Sequence, residues 1–415
     1  MIPHPLRRLG PRPLPAHLAM AWLAWTSSIA GSALLRSASP GSTPQAPPPP
    51  RLNPRLAKLA AELFAHPPAE VAAALGHEIA HRLERMAAGI LRYRHHPGRR
   101  DLPERPTVWQ EGTTRLVDYR PEGGVPLLVV PSLVNRAYVM DLSASRSFLR
   151  WLAAERGIRP LLVDWDAPGP IERGFDMTDY VAGRLDRALD AAREHTGAAA
   201  LPVIGYCMGG TLIAALGQRR ADAVSGLIFL ATPWDFHAEA DSAARAQAAQ
   251  SDQLIHWIDS QGELPVDVLQ TLFLAFDPLT AARKFRAFAE GDLYTPQAHA
   301  FVALEDWLND GIPLVAKVAA EALGGWYRAN TPAKGEWMIA GEVVDPGRIA
   351  CPSLHLIPSR DRIVPPPSSQ ALAAATPGAD VLQPPLGHIG MMVGSAAPVD
   401  VWVPIADWLD RLSAA

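Results

Sequence analysis

The sequence predicts an α/β fold: a mostly parallel sheet with helices on both faces and a helical cap inserted late in the chain. Three observations predict it. Short apolar runs (Val125–Val130, Arg159–Val163, Leu201–Ile204, Gly226–Ala231) alternate with segments of helical period, the pattern of a parallel sheet buried on both sides. One run passes through a glycine-flanked turn straight into a helix-forming segment, LPVIGYCMGGTL over residues 201–212. Finally, about 110 residues of mainly helical character separate Asp235 from the next apolar run at Ser353–Ile357, too many for a loop and enough for a cap.

Composition sets the bounds. A chain of 415 residues, 48% of them hydrophobic, buries a large core. Its formal charge of −4 gives no reason to expect nucleic acid as a partner. The two cysteines, Cys207 and Cys351, form one bridge at most. That is not a disulfide framework, and it suits the reducing cytoplasm.

Taken in order, residues 1–52 read as a disordered Pro-rich arm with a hydrophobic patch. Pro-rich pieces flank the uncharged run Leu18–Leu35, which holds Trp22 and Trp25, and no acid occurs before Glu62. Thr26, Ser27, Ser28, Gly31 and Ser32 dilute the run below the apolarity of a membrane span, so a surface-binding patch is preferred over a signal peptide or an anchor. Residues 53–104 form an N-terminal helical segment, with Asn53-Pro54 as a cap and Pro67-Pro68 as a break. Within it, His77-Glu78-Ile79-Ala80-His81 matches the H-E-x-x-H zinc pattern. That chemistry needs a third ligand and a folded scaffold ahead of the helix. A solvated helix face is the preferred reading, and no metal site is expected.

Residues 105–415 form the catalytic domain. Arg105–Tyr119 alternates as a strand, Glu122-Gly123-Gly124 turns, and the buried strand Val125–Val130 ends in Pro131-Ser132-Leu133-Val134-Asn135. Helix, strand and helix then lead to the 201–212 stretch. Glycines two before and two after Cys207 leave room for a strained strand-to-helix turn that thrusts out a nucleophile. The helix N-terminus behind it favours a thiolate. The cap insertion runs from about 236 to 348. Its aromatics (Trp257, Phe273, Phe276, Trp307, Trp326, Tyr327) are assigned to the cap's own core in preference to a substrate wall. Asp361 follows the strand Ser353–Ile357, and His388 follows the last strand, near Asp380–Gln383. Nucleophile, acid and histidine in that chain order define the α/β-hydrolase fold with Cys207, Asp361 and His388 as catalytic residues. Asp235, also at a strand end, is the alternative acid. The backbone N–H of Met208, with that of Val134 or Asn135, is the expected oxyanion hole.

These residues resemble the polyhydroxyalkanoate synthase family. The resemblance runs from about Arg105 to Val393 and rests on PLLVVPSLVNRAYVMDL, GYCMGG, LIFLATPWDF, WLNDGIPL, DRIVP and GHIGMMVG. It implies an acyltransferase that polymerises (R)-3-hydroxyacyl units from their CoA thioesters, releasing CoA, with Cys207 carrying the acyl chain, His388 activating it and Asp361 assisting. It implies no metal and no bound organic cofactor. The implied partners are 3-hydroxyacyl-CoA, the polyester chain, and a second synthase subunit or a second copy of the chain. The implied location is the cytoplasm, at a polyester granule reached through residues 18–35. Two departures stand out. Synthases commonly read Asp-His-Ile-Val where this chain has Asp361-Arg362-Ile363-Val364, and the long N-terminal domain of single-subunit synthases is not recognisable before Arg105. A Cys-dependent thioesterase or lactone hydrolase on the same fold, and a non-catalytic granule-surface protein, are the alternatives.

Overall fold

The computed structural model describes residues 8–37, 54–238 and 251–414. The chain divides into two compact bodies, one built from the residues up to Gly98 with Asp277–Glu305, the other from Arg99–Phe276 with Asp306–Ala415.

The larger body is organised on an eight-stranded sheet: β1 (Thr107–Glu111), β2 (Thr114–Asp118), β3 (Val125–Val130), β4 (Ile158–Asp164), β5 (Leu201–Tyr206), β6 (Val224–Leu230), β7 (Ser353–Leu356) and β8 (Asp380–Leu382). Their order is β1-β2-β4-β3-β5-β6-β7-β8. β2 runs antiparallel to β1 and β4, and every pair from β4 to β8 is parallel. The single strand expected over Arg105–Tyr119 is a hairpin instead. Gly112, at φ 57°, adopts the left-handed backbone that a tight reversal needs, and an alternating pattern reads the same on both arms.

All six residues of β5 and the last four of β3 are buried, as continuous apolar runs must be in a sheet covered on both faces. The crossovers between the central parallel strands carry helices. Labelled with three N-terminal helices (Leu14–Ser37, α1; Pro54–Phe64, α2; Pro68–His95, α3), they are α4 (Phe148–Arg156), α5 (Asp186–Thr196) and α6 (Met208–Arg219). α4 starts where Ser147 Oγ accepts the Arg150 N–H at 3.0 Å and stops at left-handed Gly157. From β3 the chain steps to β4 on one side, then back past β3 to β5 on the other. The carboxyl ends of β3 and β5 are thus the point where strand order reverses, the place where open α/β sheets form a crevice. After β6 come α7 (Ser251–Gln261), α8 (Val266–Leu274), α9 (Thr280–Glu290) and α10 (Pro296–Asn309).

The smaller body corrects two expectations. The arm over 1–52 is not wholly disordered: residues 14–37 form α1, while 1–7 and 38–52 lie outside the described residues. Ala21 and Trp25 of α1 are buried with Ile79, Met86, Ile90 and Tyr93 of α3 and Phe285 of α9. Removal of this indole from water offsets the weak amphipathicity of the run. The second correction concerns the insertion. Residues 277–305 belong to this N-terminal body, leaving only the flanking stretches of 236–348 with the sheet. Gly89 explains how closely α3 and α9 approach: a Cβ there would sit 1.8 Å from the Phe285 carbonyl oxygen. His77, Glu78 and His81 lie on α3, where Glu78 pairs with Arg82 at 2.6 Å. Among the described residues no group of three His, Cys, Asp or Glu gathers as a metal site.

Candidate active site

The turn between β5 and α6 places Cys207 at φ 54°, ψ −125°, a strained backbone for any residue with a Cβ. The glycines make this turn possible by close approach. A Cβ on Gly209 would meet the Val130 carbonyl oxygen at 2.2 Å, and one on Gly210 the Thr232 hydroxyl at 1.9 Å. The loop after β3 and the end of β6 therefore press directly on the start of α6. Register does the rest: Val130 pairs with Gly205, bringing Pro131–Asn135 beside Tyr206 and Cys207.

Asp361 and His388 arrive from the far end of the sheet, following β7 and β8. His388 Nδ1 and Asp361 Oδ2 are 2.7 Å apart, and both side chains are buried. The other carboxylate oxygen accepts the backbone N–H groups of Ile363 (2.8 Å) and Val364 (2.9 Å), so both oxygens of this buried acid are engaged. Burial disfavours the charged imidazole, but the Cys207 and Asp361 charges and hydrogen bonds to both outweigh it, raising the His388 pKa to about 10. The Tyr206 ring packs on the His388 ring at 5.1 Å, and its hydroxyl donates to the His388 carbonyl. The structure thus brings Cys207, His388 and Asp361 together. Asp235 lies elsewhere: its Oδ1 accepts from Asn330 Nδ2 (2.8 Å) and the His237 N–H (2.9 Å), tying the end of β6 to the cap. Arg362 is exposed while its neighbour Asp361 is buried.

Of the expected oxyanion donors, Val134 is corrected. Its N–H is given to Ser132 Oγ at 3.0 Å, a side-chain turn spanning two residues. Asn135, left-handed at φ 64°, and Met208, first residue of α6, keep N–H groups with no acceptor among the described residues, and both line the cavity with Cys207. The Asn135 side chain accepts from Gln270 Nε2 of α8 at 3.2 Å, a contact between residues 135 positions apart that no local pattern marks. The Ser132–Val134 spacing was a readable signal.

Cys207 and His388 open on a cavity of about 220 Å³. The cap aromatics do more than fill the cap's core: Trp326 is buried in the core with Phe273 packed against it, yet Phe273, Phe276, Trp307, Trp326 and Tyr327 all line this cavity, while Trp257 is 40% exposed. Trp326 and Tyr327 sit on a π-helical stretch, Glu321–Arg328, whose extra residue per turn is a common device at functional sites. Burial and the charge at Cys207 both keep the Tyr327 phenol protonated. Burial pushes the second thiol, Cys351, up to about 11.

Comparison with known proteins shows the family. Residues 153–395 match the family described as alpha/beta hydrolase fold, and 104–152 match the poly-beta-hydroxybutyrate polymerase (PhaC) N-terminus. The poly(3-hydroxyalkanoate) polymerase subunit PhaC of Allochromatium vinosum is 31% identical over 313 residues, 73% of this chain and 87% of that protein. The chain belongs to the poly(3-hydroxyalkanoate) polymerase family. Proteins of the same description from Synechocystis (29% identical, 73% of this chain, 83% of that protein) and Haloferax mediterranei (29%, 74% of this chain) are also similar. The chain spans 63% of the Haloferax protein's length. The polymerase-family matches cover the sheet, the site and the insertion, whereas α1 to α3 lie outside both matched stretches.

Proposed function

We propose that the chain is an acyltransferase that polymerises (R)-3-hydroxyacyl-CoA into poly(3-hydroxyalkanoate) through a thioester on Cys207. The observation that carries the reading is the pairing of a strained, cavity-facing thiol with a buried histidine whose raised pKa reflects that same thiol, in a chain of the polymerase family.

The Cys207 sulfur attacks the thioester carbonyl carbon. Its new S–C bond forms as the bond to the CoA sulfur breaks, and the departing CoA thiolate takes a proton from His388. The exchange of one thioester for another is close to isoenergetic, which suits a thiol better than a hydroxyl. In the second half, a 3-hydroxyl oxygen attacks the Cys207 acyl carbon, its proton passes to His388, and an ester C–O bond forms as the S–C bond breaks. The N–H groups of Met208 and Asn135 hold the oxyanion in each half. Asp361, with both oxygens engaged, orients His388 and stabilises its charged form and is a positioning group for the hydroxyl's attack. The reading calls on no metal and no bound cofactor. Its partners are the CoA thioester, the growing polyester, and either a second subunit or a second copy of the chain; the related proteins are themselves described as subunits. It places the protein in the cytoplasm at the polyester surface, which α1 would meet through exposed Leu18, Trp22 and Leu23. Among the described residues, no helix is long and apolar enough to cross a membrane.

The test is CoA release from (R)-3-hydroxyacyl-CoA with product analysis, wild type beside Cys207→Ala. Polymer that disappears with the substitution is the expected result. Free hydroxy acid with the same Cys207 dependence would replace polymerase by thioesterase.

A further inference from the structure

We infer that the cavity beside Cys207 is a side-chain pocket that selects medium-length monomers, (R)-3-hydroxyacyl groups of about six to eight carbons over 3-hydroxybutyryl. This rests on the acyl-transfer reading above and adds the substrate class.

Size and wall chemistry carry the inference. A dry apolar cavity of ~150 Å³ takes up benzene, so the 220 Å³ here accommodates on the order of nine non-hydrogen atoms by the same scaling. A 3-hydroxybutyryl group leaves much of that space empty, whereas a hydroxyhexanoyl or hydroxyoctanoyl group fills it. The wall suits an alkyl chain: Leu264, Leu269, Leu272, Phe273, Leu314 and Leu323 are among the apolar side chains that line it. Three of its polar side chains are already engaged, and of the lining Trp326 Nε1 alone is buried without a hydrogen-bond partner among the described residues. Asn135 bonds Gln270, Ser132 holds the Val134 N–H, and Tyr206 donates to the His388 carbonyl. A polyester strand would carry an ester group into this hydrocarbon wall at every repeat. The alkyl tail of one monomer carries none, and burying polar groups without partners is costly. Two small residues, Ala319 and Ala322, make the room. Each methylene transferred from water to such a wall is worth a factor of roughly four.

The experiment compares CoA release from (R)-3-hydroxybutyryl-, hexanoyl- and octanoyl-CoA by the full chain, Cys207→Ala, Ala322→Leu and Ala319→Leu. We expect Cys207-dependent release with octanoyl kcat/KM at least about tenfold above butyryl, and an octanoyl-to-butyryl ratio that falls at least about fivefold when either alanine becomes leucine. A butyryl preference in the wild type, or a ratio that neither leucine moves, overturns the inference. Equal loss at every chain length overturns it too and assigns the cavity to the polyester strand. A second readout needs no turnover: protection of Cys207 from iodoacetamide by free (R)-3-hydroxyoctanoate against (R)-3-hydroxybutyrate, followed by mass. Protection at about tenfold lower octanoate concentration, weakened by Ala322→Leu, is expected; equal protection by both acids refutes the pocket. Absence of Cys207-dependent CoA release at all lengths would count against the acyl-transfer reading, with the protection assay still deciding the pocket.

Discussion

Asp361→Asn isolates the contribution of the buried carboxylate. In the native site Oδ1 accepts two backbone N–H groups and Oδ2 faces His388 Nδ1 at 2.7 Å. Asparagine has one acceptor oxygen, and the two amides of Ile363 and Val364 claim it. The NH₂ group is then turned toward His388, where it forces Nδ1 to accept and puts the ring proton on Nε2, on the side of Cys207. The imidazole can no longer take the proton it must move, and its charged form loses its counter-ion. The same change in a serine protease costs ~10⁴ in kcat, about 5 kcal/mol of transition-state stabilisation. Loss of a charge-assisted hydrogen bond lowers folding stability by roughly 1.5–3 kcal/mol. The assay is CoA release under saturating thioester, with melting temperature measured alongside and Asp235→Asn as control, since Asp235 bonds the cap and not His388. The pH profile adds a sign. His388, with its pKa raised to about 10, keeps the proton that departing CoA needs until pH rises through that value. The alkaline limb of the wild type therefore lies near 10 and moves down in Asp361→Asn. A folded Asp361→Asn protein that keeps a tenth or more of the wild-type rate, or whose alkaline limb stays in place, would refute the assignment.

Three further outcomes are expected. Burial lowers the His355 pKa from 6.5 to about 4, so its neutral form is favoured in the fold. Stability from this group is fully present above 6.5 and lost as pH falls toward 4, amounting to about 3 kcal/mol; the difference in urea unfolding between wild type and His355→Gln should change by that order across the window, and a constant difference would contradict it. At pH 7.5, iodoacetamide should label Cys207 and leave Cys351 unmodified, because burial holds the second thiol protonated; peptide mass mapping decides this. Gly89→Ala drives a methyl group onto the Phe285 carbonyl and should cost at least about 1–3 kcal/mol in chemical denaturation, whereas Gly76→Ala, with open space around it, should be neutral or stabilising.

Much of the site was legible because its causes are local. Gly205, Cys207, Gly209 and Gly210 encode the turn through backbone sterics within a few residues, and continuous apolar runs mark buried parallel strands whatever lies beside them. Asp361 and His388 were readable from their places after the last two strands, since a parallel sheet puts all such ends on one edge. The hairpin at Gly112 was missed because alternation alone does not mark a reversal. The sequence by itself determined the central parallel strands, the elbow and the chain order of Cys207, Asp361 and His388. Only the tertiary structure decided what depends on partners remote in sequence: that Trp25 is buried in one cluster with Phe285, some 260 residues away, that Asn135 meets Gln270, and that the cap's aromatics face a cavity. An apolar residue's pattern records that it leaves water; which surface it meets is set by the packing of the whole chain.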